Sequence, residues 1–172
     1  MAELSEEQLR VRGYIQAQAA KLPLAAIIEK VRADSAVLAE AAVAAESIDH
    51  TKRPDADNWS VNDVLSHLAE TCARLNGQIL AAWERGETGD PLEDALRATE
   101  VVRRPLEWWE TIRSERETLF TQLAEATGDE HLDVRWNHPF FGDLNWREWV
   151  LFFRLHDGDH GRQVAGIVAA LQ

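Results

Sequence analysis

What most constrains this chain is where its helix breakers fall. Nine glycines and five prolines in 172 residues sit mostly between long stretches of Ala, Leu, Glu, Arg and Gln, residues that lose little freedom in a helix. The chain therefore reads as all-α. A short N-terminal segment, 5–20, leads to Pro23, which suits the first turn of a helix. A first main helix is expected over 24–47, where Ile27, Val31, Leu38 and Ala42 recur at helical spacing. Residues 48–58, with Pro54 and three aspartates, read as a loop. Ser60 and Asp63 make an approximate capping box for a second helix over 61–85, which Gly86, Gly89 and Pro91 end. A third helical stretch is expected over 92–126, with an irregular start or a break ahead of Pro105 and Gly128 as its stop. A connection over 129–144 then leads to Asn145, which with Glu148 repeats the capping pattern for a last helix ending near Leu171. The expected architecture is a four-helix bundle with a short N-terminal extension, in a single domain over 1–172 whose bundle proper covers about 24–171.

Charge and cysteine content exclude several partners. With 18 basic and 30 acidic residues the formal net charge is -12, so the summed field repels phosphate backbones and anionic headgroups. Neither nucleic acid nor membrane is an expected partner. Cys72 is the single cysteine, which excludes an intrachain disulfide framework and fits a reducing compartment. The N-terminal residues carry Glu3, Glu6 and Glu7 in place of the basic start and apolar run of a signal peptide. A cytoplasmic location is the expectation.

The chemistry lies in three histidines. His156 and His160 stand four residues apart in the last helix, which puts both imidazoles on one face about a turn apart. Trp149, Phe152 and Phe153 share that face upstream and Val164 and Ile167 continue it downstream, so the pair should point inward. Two neutral imidazoles with a third protein ligand would give the open three-ligand arrangement of catalytic zinc. The second helix offers His67, with Val64, Leu68 and Thr71 as core-like neighbours. Asp63, one turn earlier, reads as the helix cap rather than as an acceptor that fixes the His67 tautomer. Periodicity alone fits two readings equally, a metal site or histidines satisfied within a core.

Longer motifs carry a resemblance. The segment Asn58-Trp59-Ser60-Val61-Asn62-Asp63-Val64-Leu65-Ser66-His67-Leu68 resembles the second-helix start of the DinB/YfiT-like metalloprotein superfamily of four-helix bundles. His138-Pro139 through Gly142, Trp146 to Trp149, and His156-Asp157-Gly158-Asp159-His160-Gly161-Arg162-Gln163-Val164 are similar to that family's fourth-helix signature. The resemblance runs from about Leu24 to Leu171; residues 1–20 depart from the minimal family pattern. It implies that His67, His156 and His160 bind one divalent ion, zinc or nickel, at one end of the bundle. It further implies a partner that is a small-molecule thiol or electrophile, and a homodimer. Relatives include S-transferases using bacillithiol or mycothiol, a mycothiol-dependent maleylpyruvate isomerase, and members with no assigned activity. The expected function is metal-dependent activation of a low-molecular-weight thiol or water, with thiol S-transfer first and hydrolysis or isomerisation behind it. The alternative is a non-catalytic metal-binding or stress-related helical protein. A metal-free interaction protein with three core histidines is a third. No general base is identified.

Other residues carry weaker expectations. Trp108 and Trp109 differ by about 100° around a helix, so one packs inside and the other lies at a groove or contact. Trp136, Phe140, Phe141 and Trp146 read as a hydrophobic plug at the bundle end, or as a wall beside the open metal position. His138, followed by Pro139, fits an extended loop better than a ligand. Cys72 lies about 140° round the helix from His67 and belongs to the core. Gly158, unfavourable in mid-helix, suggests close helix packing there. Arg154 and Arg162 are expected to be solvated or ion-paired; His50 and His131 get no role.

Overall fold

The computed structural model describes residues 4–92 and 99–172. Among them the chain forms α1 (Glu6–Lys21), α2 (Leu24–Asp34), α3 (Ala36–Ala45), α4 (Val61–Arg85), α5 (Pro105–Leu123), β1 (Arg135–His138), β2 (Gly142–Asn145) and α6 (Trp146–Leu171). The chain is thus mostly helical, with one small antiparallel hairpin that the sequence reading did not anticipate. No described helix is long and apolar enough to cross a membrane.

Capping decides three of the helix starts. Ser5 with Gln8, Ser60 with Asp63 and Asn145 with Glu148 each form a reciprocal box between side chain and backbone, satisfying amides that have no partner inside the helix. Asp63 is a cap, as expected: its Oδ2 accepts from the Ser60 N–H at 3.1 Å and also takes Arg53 at 3.1 Å. At the other end of α4, Gly86 adopts φ 64°, and a Cβ there would lie 2.9 Å from the His131 ring, so both backbone and space call for glycine.

Two expected helices are revised. The single helix over 24–47 is α2 and α3, separated at Ser35. Its hydroxyl oxygen lies 2.8 Å from the Val31 carbonyl and 2.6 Å from Asp157, two acceptors for its one proton; such bonding to the preceding turn bends helices. The stretch over 92–126 contains a helix only from Pro105 to Leu123. Residues 93–98 lie outside the described residues, and 99–104 run without helix. Pro105 disfavours helical backbone at Arg104, which sits at ψ 147°. Asn62 holds this segment: its amide donates to the Val101 carbonyl at 2.8 Å and its oxygen accepts from Arg103 N–H at 3.2 Å and Trp108 Nε1–H at 2.9 Å.

Helix α6 packs on α1, α2, α3 and α4, while α5 packs on α4 and α3. The apolar interior falls into two clusters. One gathers α1, α2, the hairpin, the first half of α6 and the C-terminal halves of α4 and α5, around Trp146 and Trp149, both fully buried. The other joins α3 to the N-terminal halves of α4 and α5 and the last turns of α6. Between them lies a polar layer. Arg116 from α5 donates from Nη2 to Asp157 Oδ1 of α6 at 2.8 Å, while its Nη1 and the Ser35 hydroxyl both reach Asp157 Oδ2. Burial disfavours the guanidinium charge, but Asp157 more than offsets it and Arg116 is held protonated. Trp108 is buried and Trp109 only partly so, and Cys72 is a core residue, as the helical angles predicted.

Gly158 is not the close contact that the sequence suggested. A Cβ there meets only the Arg162 side chain at 3.5 Å, whereas one on Gly161 would stand 3.0 Å from Val37 Cγ1 and 3.2 Å from the Leu38 backbone nitrogen. Gly158→Ala should therefore stabilise the protein by up to about 1 kcal/mol through helix propensity, and Gly161→Ala should destabilise it, the order being read from urea unfolding midpoints. Arg116→Leu leaves the buried Asp157 without its partner and should cost about 3–5 kcal/mol. Arg116→Leu combined with Asp157→Leu should recover most of that loss in the same assay.

Candidate metal site and aromatic cavity

The histidine cluster is set by two capped helices. His67 lies two turns into α4, past the Ser60 box, and His156 and His160 sit mid-way along α6, where that helix crosses α4. The structure brings all three sequence-predicted residues together: one ring nitrogen from each lies within 4.8 Å of the others. Ring centroids are 5.4 Å apart for His67 and His156, 5.1 Å for His67 and His160, and 4.6 Å for His156 and His160. The Trp59 ring meets His67 edge-on at 5.5 Å and the Phe152 ring lies 5.1 Å from His156. All three imidazoles are half-buried, facing a cavity rather than being sealed in the core.

The donor set suits a divalent ion. Burial, with the charge of His160 second, pushes His67 down to about 4, and burial with the neighbouring histidines pushes His156 well below its ordinary value. Both are therefore neutral at pH 7, the form that binds metals. The Gln163 amide oxygen lies 2.8 Å from His160 Nδ1. An amide oxygen only accepts, so the proton sits on Nδ1 and the lone pair on Nε2 faces away from it. Three mutually facing imidazoles with no carboxylate among them match the ligand chemistry of zinc or nickel better than that of magnesium or calcium.

A cavity of about 310 Å³ opens beside the cluster. Phe140, Phe141, Phe152 and Leu155 supply its apolar wall, and His138 lies among them. The hairpin delivers His138, Phe140 and Phe141, and α6 delivers Phe152 and Leu155. Pairing of Arg135 with Asn145 and of His138 with Gly142 turns Trp136 and His138 to the same, buried side of β1. The aromatic cluster expected around the last loop divides by role. Trp136 stacks on Trp149 at 5.3 Å and Trp146 is fully buried, together plugging that end of the core. Phe140 and Phe141 line the cavity. His138 is not part of the three-histidine cluster and ends strand β1 rather than lying in a loop; it stacks on Phe141 at 4.6 Å and meets Phe152 edge-on at 4.6 Å. Arg154 is paired with Asp34 and Tyr14, and Arg162 with Asp159.

The sequence reading gave no role to Gln163, Trp59 or Arg116. Gln163 follows His160 by three residues and so shares its face, which was a usable signal. Arg116, four residues after Ile112 and three before Leu119, is a charge at a core position of α5. Taken together, the described residues define a helical protein with a three-imidazole cluster at the base of an aromatic cavity. No protein-family model matches the chain, and no curated protein matches it significantly.

Because His67 and His138 titrate near 4 in the folded protein against about 6.5 when unfolded, the unfolded chain takes up protons first as the pH falls. Stability of the metal-free protein should thus decline as the pH drops below about 6.5. Melting temperatures of chelator-treated protein recorded between about pH 7.5 and 5.5 should show this fall, and His67→Ala should make it shallower.

Proposed function

We propose that His67, His156 and His160 hold one divalent ion, zinc or nickel, and that the protein is a metal-dependent enzyme acting on a low-molecular-weight thiol and an electrophilic small molecule. The observation that carries this reading is the convergence of three imidazole nitrogens beside an open, aromatic-walled cavity. A divalent ion in that setting supplies Lewis acidity that favours the anionic form of a thiol or of water at neutral pH. The protein's own groups do the rest. Gln163 fixes the His160 tautomer, the buried Arg116 and Asp157 pair anchors the turn of α6 that carries His156, and Phe140, Phe141, Phe152 and Leu155 exclude water from the reacting centre. Thiol S-transfer is the first reaction proposed, with hydrolysis or thiol-dependent isomerisation after it.

The same reading places the chain in the DinB/YfiT-like superfamily as a four-helix bundle, with α2 and α3 together as one helix and α4, α5 and α6 as the others. It includes a cytoplasmic location and a homodimer. The support is the order of the motifs and the pairwise packing of these helices.

A second reading has its own support. His67 belongs to α4 and the other two histidines to α6, so an ion there would cross-link two helices and contribute to folding stability without catalysis. Elemental analysis of untagged protein purified without chelators should give close to one equivalent of zinc or nickel, and none in a His67→Ala, His156→Ala double variant. Gln163→Leu should weaken metal affinity by about 10–100-fold in a chelator competition. Turnover of a panel of electrophiles with cellular thiols by the loaded protein separates the two readings. Neither turnover nor thiol binding leaves the structural one.

A further inference from the structure

Among the described residues, His138 is the polar side chain of the cavity whose donor has no partner. Outside the three-histidine cluster, the other charged or amide groups of the lining are engaged: Asp159 pairs with Arg162 and Gln163 with His160. The Phe140 backbone N–H donates to His138 Nδ1 at 3.1 Å. A ring nitrogen that accepts carries a lone pair, and burial keeps this imidazole neutral, so its proton is on Nε2. Among the described residues Nε2–H has no partner, and His138, only 3% exposed, lines the cavity. Phe141 and Phe152 hold the ring on two sides and line the same cavity as the three histidines. An imidazole enclosed by aromatic rings is stabilised when an acceptor meets its N–H.

We propose that His138 is a substrate-positioning residue whose Nε2–H donates to a carbonyl-type acceptor on a compact, uncharged aromatic molecule lying between it and His67, His156 and His160. This rests on reading the cavity as the substrate site. The substrate class follows from the walls. About 310 Å³ lies at the small end for ligand sites, the lining is aromatic and aliphatic apart from the groups just named, and its carboxylate, Asp159, is already paired with Arg162, so the walls favour an apolar, uncharged ligand.

The test compares acetophenone with ethylbenzene, which has nearly the same shape and no acceptor, by ligand-observed NMR titration of the full chain, with metal content measured on the same samples. Wild type should bind acetophenone more tightly by about three- to tenfold, the range expected for one neutral hydrogen bond. His138→Phe should abolish the preference, and His138→Gln, which keeps an N–H donor, should retain part of it. A purely structural role would lower both affinities together and leave their ratio intact. Independently of any variant, ¹⁵N shifts of wild-type His138 should place the proton on Nε2 and move on adding acetophenone. Equal binding of the two probes, binding of neither, a preference that survives in His138→Phe, or a proton on Nδ1 would overturn the role of His138. A preference for acetophenone in protein that takes up no metal would overturn the metal reading and leave this one standing.

Discussion

A guanidinium and a carboxylate shut away from water divide the interior of this protein in two. Arg116 and Asp157 cannot be separated cheaply, since either one alone is an uncompensated buried charge. That requirement fixes α5 against α6 and, through the Ser35 hydroxyl on the same carboxylate, fixes the junction of α2 and α3 to both. Apolar contacts on either side tolerate small slides; a bidentate ion pair with a third donor does not. Asp157 follows His156 directly, so the same constraint sets the height and rotation of the α6 turn that presents the histidines.

Much of this was legible in the sequence, because the signals were local. The Ser60 and Asp63 box and the Asn145 and Glu148 box place α4 and α6 without any tertiary information, and four-residue spacing alone puts His156 and His160 on one face. What failed was non-local. Nothing in residues 24–47 shows that Ser35, where the helix is interrupted, will meet a carboxylate far along the chain. Gly158 was singled out from helix propensity; the glycine that a neighbouring backbone requires is Gly161, visible only once α3 lies against α6. The hairpin escaped notice because each strand has four residues, too few for alternation to stand out.

The cavity joins two kinds of support. Its polar floor is carried by the middles of two long helices, where backbone position is tightly determined, while Phe140 and Phe141 of its wall come from a hairpin packed beside α6 and face Phe152 and Leu155 of that helix. A floor on helices and a wall partly on a loop separate the part of a site that must keep its geometry from the part that can vary. His138 belongs to the second part in sequence but is held nearly as firmly as the first, clasped by Phe141, Phe152 and Trp149.

The hairpin's register has an arithmetic consequence for how this protein can change. Along β1 alternate residues face opposite ways, so Trp136 and His138 are inside while Arg135 and Asn137 are outside. If one residue gained or lost between His138 and Gly142 slipped the pairing by a single step, each neighbour would exchange faces, with Asn137 in place of His138 and Arg135 in place of the tryptophan stacked on Trp149. Chain-length variation that keeps the cavity wall should therefore come in steps of two residues, making parity rather than length the quantity held fixed in this loop.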